Sequence, residues 1–301
     1  MVFHSNCWYC AIIRFMNRLN LKSSWHFRTI GLGTINYRAG ARRLAKEAFS
    51  TGLFETSIGF DEKYLKQNSQ LFWENHRKIL KSRTHGFGFY VWKPEFIKLA
   101  LSGIPENHGL MYCDAGNLIS RKLDDIKVLG SYLNLASESN LVGSNSQNFV
   151  EKDWSPLKLM DHLNLSEINR DSSQFLGGFL LITNTPEGRQ FVEQWSDLAC
   201  QENHRFLFPR MASKYPKNLS FDQAILSCLL KSRSKPSVNL GDSENLGCVR
   251  AARHRFAYSI DSKNCIARGF FNLIASLSKL KLALEHRIFK NSLYREPSNH
   301  P

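Results

Sequence analysis

Acidic residues are scarce in this chain: 26 Asp and Glu stand against 40 Lys and Arg, leaving a formal charge of +14. The deficit lies at the ends. Residues 1–58 carry 8 basic side chains and 2 acids, and residues 250–301 carry 10 and 3. The middle is close to neutral. Basic flanks favour polyanions such as phosphate-bearing ligands, anionic lipid or nucleic acid. Yet no zinc-finger spacing, RNA-recognition signature or heptad occurs, so no nucleic-acid partner is expected. Repeats of ~20–50 residues are missing too, which excludes a solenoid or propeller.

Long hydrophobic runs are also lacking, and nothing approaches the ~18 apolar residues of a membrane span. The best N-terminal stretch, residues 7–13, is cut short by Arg14 and has no small-residue cleavage site. Cysteine is sparse and odd in number, 7 scattered positions. That pattern predicts reduced, buried thiols in a cytosolic protein and excludes a disulfide framework. Cys7 and Cys10 have C-x-x-C spacing, but no strand–helix context surrounds them, so an apolar turn is the expected role.

What remains is globular: 301 residues, 43% hydrophobic and 22% charged. Such a chain buries a core without staples. Residues 1–27 read as an aromatic, Arg-rich extension. Phe27 to Gly33 is a short apolar run ending in Gly31-Leu32-Gly33-Thr34, a strand entering a loop. A helix is expected over 38–51 with Ala41, Leu44, Ala45, Ala48 and Phe49 inward and Gly52 at its end. A second is expected from Lys93-Pro94, with Phe96, Ile97, Ala100 and Leu101 inward. Gly109 to Cys113 and Phe175 to Thr183 read as buried strands. Asn184/Glu187 and Ser220/Gln223 have capping-box spacing before helical runs. Strands alternating with helices predict an α/β fold with a mainly parallel sheet.

The Gly31-Leu32-Gly33 turn invites a dinucleotide reading, but the third glycine position is Asn36. No acid ends an obvious second strand, so a tight strand-to-helix turn is expected. Asp114 follows the buried run Leu110-Met111-Tyr112-Cys113 directly. A carboxylate there faces a cleft, a cation or a ring of donors, or caps the next turn. The aromatics Phe87, Phe89, Tyr90 and Trp92 fit either stacking on a ligand or strand packing.

Three sites in chain order carry a resemblance: Asp114 at a strand end, the run Gln174-Phe175-Leu176-Gly177-Gly178, and Phe221-Asp222-Gln223 opening a helix. This order resembles the nucleotide-diphospho-sugar transferase fold of GT-A glycosyltransferases. More closely, the chain is similar to a bacterial group of glycosyltransferases of capsule or surface-polysaccharide type. The similarity rests on Gly33-Thr34-Ile35-Asn36-Tyr37, on His85-Gly86-Phe87-Gly88-Phe89-Tyr90-Val91-Trp92-Lys93-Pro94, and on Tyr112-Cys113-Asp114-Ala115-Gly116. It covers roughly residues 28–256, the catalytic domain it implies.

Two departures stand out. His85 replaces an arginine usual in the group, and Gly116 stands where Asp-x-Asp enzymes carry a second acid. The resemblance implies a cytoplasmic enzyme, a hexosyl- or related transferase. It would move sugar from a nucleotide-sugar donor to a glycan or lipid-linked acceptor hydroxyl. Asp114 and Asp222 would be catalytic. Asp114 would also hold Mn²⁺ or Mg²⁺, unless Lys93 and the arginines at 250, 253 and 255 neutralise the diphosphate instead. Gly33, Thr34, Tyr37, Lys93, Gln174, Gly177, Gly178 and Gln223 would line the donor site.

The bland alternatives are a solvated Lys93 at a helix start and an Asp222 that only caps its helix. The rival function is a non-catalytic nucleotide-sugar or polyanion-binding protein at a membrane surface. Residues 257–301 carry Phe270, Leu273, Ile274, Leu277, Leu280 and Leu284 at helical spacing among lysines and arginines. This basic amphipathic segment either lies on the inner face of an anionic membrane or docks on the core.

Overall fold

The structure, a computed structural model, describes residues 21–81, 85–207, 221–238, 241–242 and 245–251. The Cys7/Cys10 pair, Ser220, Arg253, Arg255 and the amphipathic segment lie outside these residues.

The first strand among the described residues is β1 (Trp25–Gly31), which begins three residues ahead of the expected domain start. Every residue of β1 is buried, so period-2 alternation is invisible in its sequence. Helix α1 (Ile35–Ser50) follows, with Ala41, Leu44, Ala45 and Ala48 buried as expected. Phe49 instead is 66% exposed. It sits at the far edge of the apolar stripe, beyond the arc that touches the sheet. Gly52, at φ 74°, turns the chain after the helix.

Then comes β2 (Thr56–Asp61), a strand that the sequence reading missed. Its half-exposed edge position explains the weak hydrophobic signal. It ends on Asp61, whose carboxylate accepts from the Lys63 N–H and caps the next short helix. Helix α2 (Trp92–Ser102), β3 (Gly109–Cys113) and the short β4 (Asn117–Ile119) follow. Next come α3 (Leu123–Ser139), β5 (Leu141–Val150), the single turn α4 (Glu151–Trp154) and β6 (Ser173–Thr183). Then come α5 (Pro186–His204), α6 (Asp222–Ser232) and β7 (Ser237–Val238), and the described residues end on β8 (Val249–Ala251).

Cap positions differ from expectation by one residue. Thr185 caps α5 through the Gly188 N–H, while Asn184 is buried and donates to Ile104 O and Pro105 O. Helix α6 starts at Asp222, after a cap residue, Phe221, at φ 46°.

The sheet order is β2-β1-β3-β6-β5-β7. Five strands run one way; β6 alone runs against both neighbours. The expectation of a mainly parallel sheet holds with that one exception. Along β3, Leu110 and Tyr112 face the layer of α2, α5 and α6, while Met111 and Cys113 face α1 and α3. Each side of the sheet is thus sealed by helices, the arrangement that lets parallel strands be apolar throughout. No described helix is long and apolar enough to cross a membrane.

The direction of β6 places the site. Because β6 is antiparallel to β3, its beginning lies beside the carboxyl end of β3, with Phe179 opposite Cys113. The next rung is the Asp114 N–H donating to Gly178 O at 3.0 Å. A close turn brings α1 to the same end of the sheet: a Cβ on Gly31 would stand 2.1 Å from the Tyr37 carbonyl oxygen.

We therefore expect Gly31→Ala to be destabilised by about 3 kcal/mol or more, since backbone must move to admit the methyl. Gly116→Ala, whose Cβ meets nothing within 4 Å, should change the denaturation midpoint little. Equal midpoints for the two variants in urea would contradict the packing described.

Candidate functional site

The centre of the site is a lysine. Lys93 is 2% exposed, and its ammonium lies 2.8 Å from Asp222 Oδ2 and 3.2 Å from Asp114 Oδ1. It also donates to Gly177 O at 3.0 Å. The ammonium is thus enclosed by one hydrogen bond and two ion pairs. Lys93 is not a solvated helix-start side chain. Burial alone would lower its pKa, but the two carboxylates outweigh burial and hold it above the ordinary lysine value. The Tyr90 ring lies against the ammonium, 4.7 Å from centroid to Nζ.

What brings Lys93 here is an inverted stretch of backbone. Gly86, Phe87, Gly88, Phe89 and Tyr90 all have positive φ, between 55° and 85°. They make a left-handed turn closed by the Tyr90 N–H to Gly86 O bond at 3.3 Å. The aromatic spacing is thus neither strand packing nor a stacking platform. Left-handed backbone costs an L-residue about 1–2 kcal/mol, and three of the five positions are not glycine.

Each of those three side chains fixes a different wall. Phe87 packs on Gly33, where a Cβ would meet its ring at 3.0 Å. Phe89 packs on the cap residue Phe221, with ring centroids 4.9 Å apart. Tyr90 covers Lys93. Gly86 is required because a Cβ there would stand 2.3 Å from the Tyr90 ring.

The two carboxylates differ in access. Asp114 keeps 35% of its side chain exposed. Its Oδ1 accepts from the Tyr112 hydroxyl at 2.6 Å as well as facing Lys93. Burial and this carboxylate push the Tyr112 phenol well above its usual range, so it stays a donor. The other oxygen, Oδ2, lies over Gly178, 3.3 Å from where a Cβ would be. Asp222 is 2% exposed. Desolvation pushes its carboxyl up to about 6, against the downward pull of Lys93. It lies behind Gly177, not in the cleft: a Cβ on Gly177 would approach Oδ2 to 3.3 Å.

The expected donor residues divide into wall and brace. Tyr37 is half-exposed, and burial together with Asp114 raises its phenol. Gly33 and Thr34 lie at the amino end of α1, with no side-chain cap bond from Thr34. Gln223 and Gln174 are braces. Gln223 Oε1 accepts from the Gly177 N–H at 3.0 Å, and its amide donates to Gln174 Oε1 at 2.6 Å. Gln174 is fully buried and donates onward to Glu151 Oε1 and Ser155 Oγ. Glu151, fully buried, is paired with Lys231 at 2.8 Å and accepts from Ser227 and Ser155. This polar network anchors the start of β6 to α4 and α6.

Sequence reasoning gave no role to Asn117 or Glu151, named Tyr112 only as part of a motif, and offered Tyr90 only ligand stacking or strand packing. Asn117 donates to Gly178 O at 2.9 Å and fixes the glycine pair from the other side. Arg250, the described member of the arginine cluster, lies on β8 (Val249–Ala251), which pairs with β4 next to the Asp114 turn.

A divalent cation does not fit between Asp114 and Asp222 as they are held. The ammonium fills that position and engages one oxygen of each, and residue 116 supplies no second acid. The described residues that do gather three ligand atoms are His26, Glu55 and His108, at the opposite end of the sheet.

No family model matches the chain, and no curated protein matches it. Among solved structures, it is similar to the apo form of mouse xyloside xylosyltransferase 1. Identity is 11%, the TM-score is 0.39, and the match covers 72% of this chain and 85% of that one. Likeness of that degree carries no statement about the chemistry of this chain.

Replacing Lys93 by Met should cost about 3–5 kcal/mol, the usual consequence of leaving buried charge unpaired. The cost should depend on pH. Asp222 already binds its proton more tightly folded than unfolded, and loss of Lys93 strengthens that preference. Above about pH 6 the folded variant binds a proton that the folded wild type does not, so the deficit should grow as pH rises above about 6 and level off below it, where Asp222 is protonated in both. Urea denaturation of both proteins at pH 5 and pH 8 checks this. A deficit equal at both values contradicts it.

Proposed function

We propose that this chain is a glycosyltransferase that moves a sugar from a nucleoside-diphosphate donor to an acceptor hydroxyl. The observation that supports it is the half-exposed Asp114 carboxylate at the carboxyl end of β3, held on one oxygen by Lys93 and Tyr112 and open over Gly178 on the other. Crevices at the carboxyl ends of such strands are where α/β sheets take nucleotides. The glycine pair leaves a floor without side chains, which suits the close approach of a sugar ring. The order of motifs along the chain resembles that of GT-A enzymes, as described above. Acceptors of glycan or lipid-linked type, and a place in polysaccharide synthesis, belong to the same proposal.

The roles follow from access. Asp114 Oδ2 is the group that touches substrate, accepting a hydroxyl of donor or acceptor and taking the acceptor proton as transfer proceeds. Asp222 and Lys93 are positioning residues; they aim Asp114 and the Gly177 carbonyl. The amino end of α1, with Gly33, Thr34 and the exposed Arg38, meets the diphosphate through N–H groups and positive charge. Tyr37 stands between that end and Asp114, where it contacts base or sugar. No step passes through a metal ion.

The test is a turnover screen of UDP-, GDP-, CMP- and dTDP-sugars, with and without chelator. One donor should turn over, equally well in EDTA. Asp114→Asn should lower turnover by about a hundredfold or more with circular dichroism unchanged. Stabilisation by a donor without turnover would favour a non-catalytic binding protein.

Gly178→Ala gives an independent check. Its methyl would stand 3.3 Å from Asp114 Oδ2 in ordinary backbone conformation. The protein should keep its melting temperature and lose donor turnover at least tenfold. Unchanged turnover would move the substrate away from this floor.

A further inference from the structure

We propose that His26, Glu55 and His108 form a zinc-type metal site at the amino end of β1, β2 and β3, separate from the Asp114 cleft. His108 precedes β3 and Asp114 follows it, so the two sites are roughly 20 Å apart at the strand rise of ~3.3 Å per residue. The proposal does not depend on the transferase reading.

The three residues sit where three adjacent parallel strands begin. His26 pairs in register with Thr56 and Leu110. The Glu55 N–H donates to Trp25 O, and the Gly109 N–H donates to Ser24 O, both at 2.8 Å. The ligand atoms are therefore carried on rigid backbone. His26 Nε2 is 3.0 Å from His108 Nδ1 and 3.6 Å from Glu55 Oε2; His108 Nδ1 is 3.8 Å from the same oxygen. Zinc bonds of about 2.0–2.2 Å in a tetrahedron give edges of about 3.3–3.6 Å, within that range. The Glu55 oxygen is too far from either ring nitrogen for a hydrogen bond, yet nearly equidistant from both. The two ring nitrogens face each other nearly along the line of the ring centres, 5.2 Å apart, so one ring turns toward the Glu55 oxygen when a cation binds.

The surroundings match a ligand set. His26 Nδ1 contacts Thr56 Oγ1 at 2.8 Å, the outer partner that orients a ligating imidazole. Arg28 holds Thr56 Oγ1 in turn, at 2.9 Å. Two imidazoles and a carboxylate suit zinc better than Mg²⁺ or Ca²⁺. Glu55 is 51% exposed, so the fourth position opens to solvent beside a cleft lined by Ser23, Ser24, Phe54 and Glu55. Without metal, the same rings would share a single N–H···N bond.

The test is zinc titration of the chelator-stripped full chain by calorimetry, with cobalt(II) absorption reporting the ligand atoms. One site should appear. Cobalt should give d–d bands without thiolate charge transfer, which separates this site from the cysteines. Glu55→Gln and His108→Ala, both at exposed or half-exposed positions, should weaken zinc by about a hundredfold or more with circular dichroism unchanged. Thr56→Val should weaken it about 10–100-fold. Asp114→Asn should bind zinc as wild type does. Absence of zinc binding, a thiolate band, or wild-type affinity in both ligand variants would overturn the assignment.

Discussion

The ammonium of Lys93 is the charge on which the rest of this end of the molecule depends. A buried, unpaired ammonium costs several kcal/mol. This one is tolerated because three acceptors from three elements meet it: Asp114 after β3, Gly177 in β6 and Asp222 opening α6. The dependence is mutual. Without the ammonium, Asp222 is a carboxylate in an apolar layer, and Asp114 has a like charge for a neighbour. A pocket with one accessible carboxylate and one half-neutralised partner is the result. The left-handed run from Gly86 to Tyr90 is the strained part of the arrangement, and its three aromatic side chains each secure a separate wall. Strain of this kind persists where surrounding contacts over-determine the backbone.

Strand direction does the remaining assembly. Residues 114 and 178 are far apart in the chain, and a parallel β6 would put the glycine pair at the opposite end of β3. The antiparallel choice sets Asp114 directly against Gly178. The same topology gathers the starts of β1, β2 and β3 at the other end. There His26, Glu55 and His108 converge for the same geometric reason. One sheet thus carries two polar clusters, one at each end.

Much of this was legible in the sequence, for physical reasons that differ by element. The strands at Gly109–Cys113 and Ser173–Thr183 and the inner faces of α2 and α5 follow from apolar periodicity, which burial on the sheet enforces. Asp114 stood out because a carboxylate beside an apolar run needs a partner, whereas Asp222 was singled out only by the resemblance of its helix start. Other features were hidden. Hydrophobic pattern has no arrow, so the reversal of β6 could not be read from it. Edge strand β2 has only a half-buried pattern. The alternation Gly-Phe-Gly-Phe has the period of a strand, yet its glycines serve an inverted turn. Lys93 next to a proline looks like a solvated helix start, because nothing local announces acceptors from residues 114, 177 and 222. Gln174 and Gln223 were read as facing a ligand, whereas their amides complete a buried chain to Glu151.

The account turns on Asp222 being a buried acid held between proton and lysine. The direct measurement is a carbon-13 NMR titration of carboxyl-labelled aspartate in the folded wild-type chain, with Asp222→Asn identifying the resonance. The account predicts that the assigned carboxyl titrates near pH 6, well above an ordinary aspartate. A resonance that titrates at or below the ordinary aspartate value would mean that attraction to Lys93, which lowers this carboxyl, outweighs its desolvation, and would contradict the buried acid held close to its proton described here.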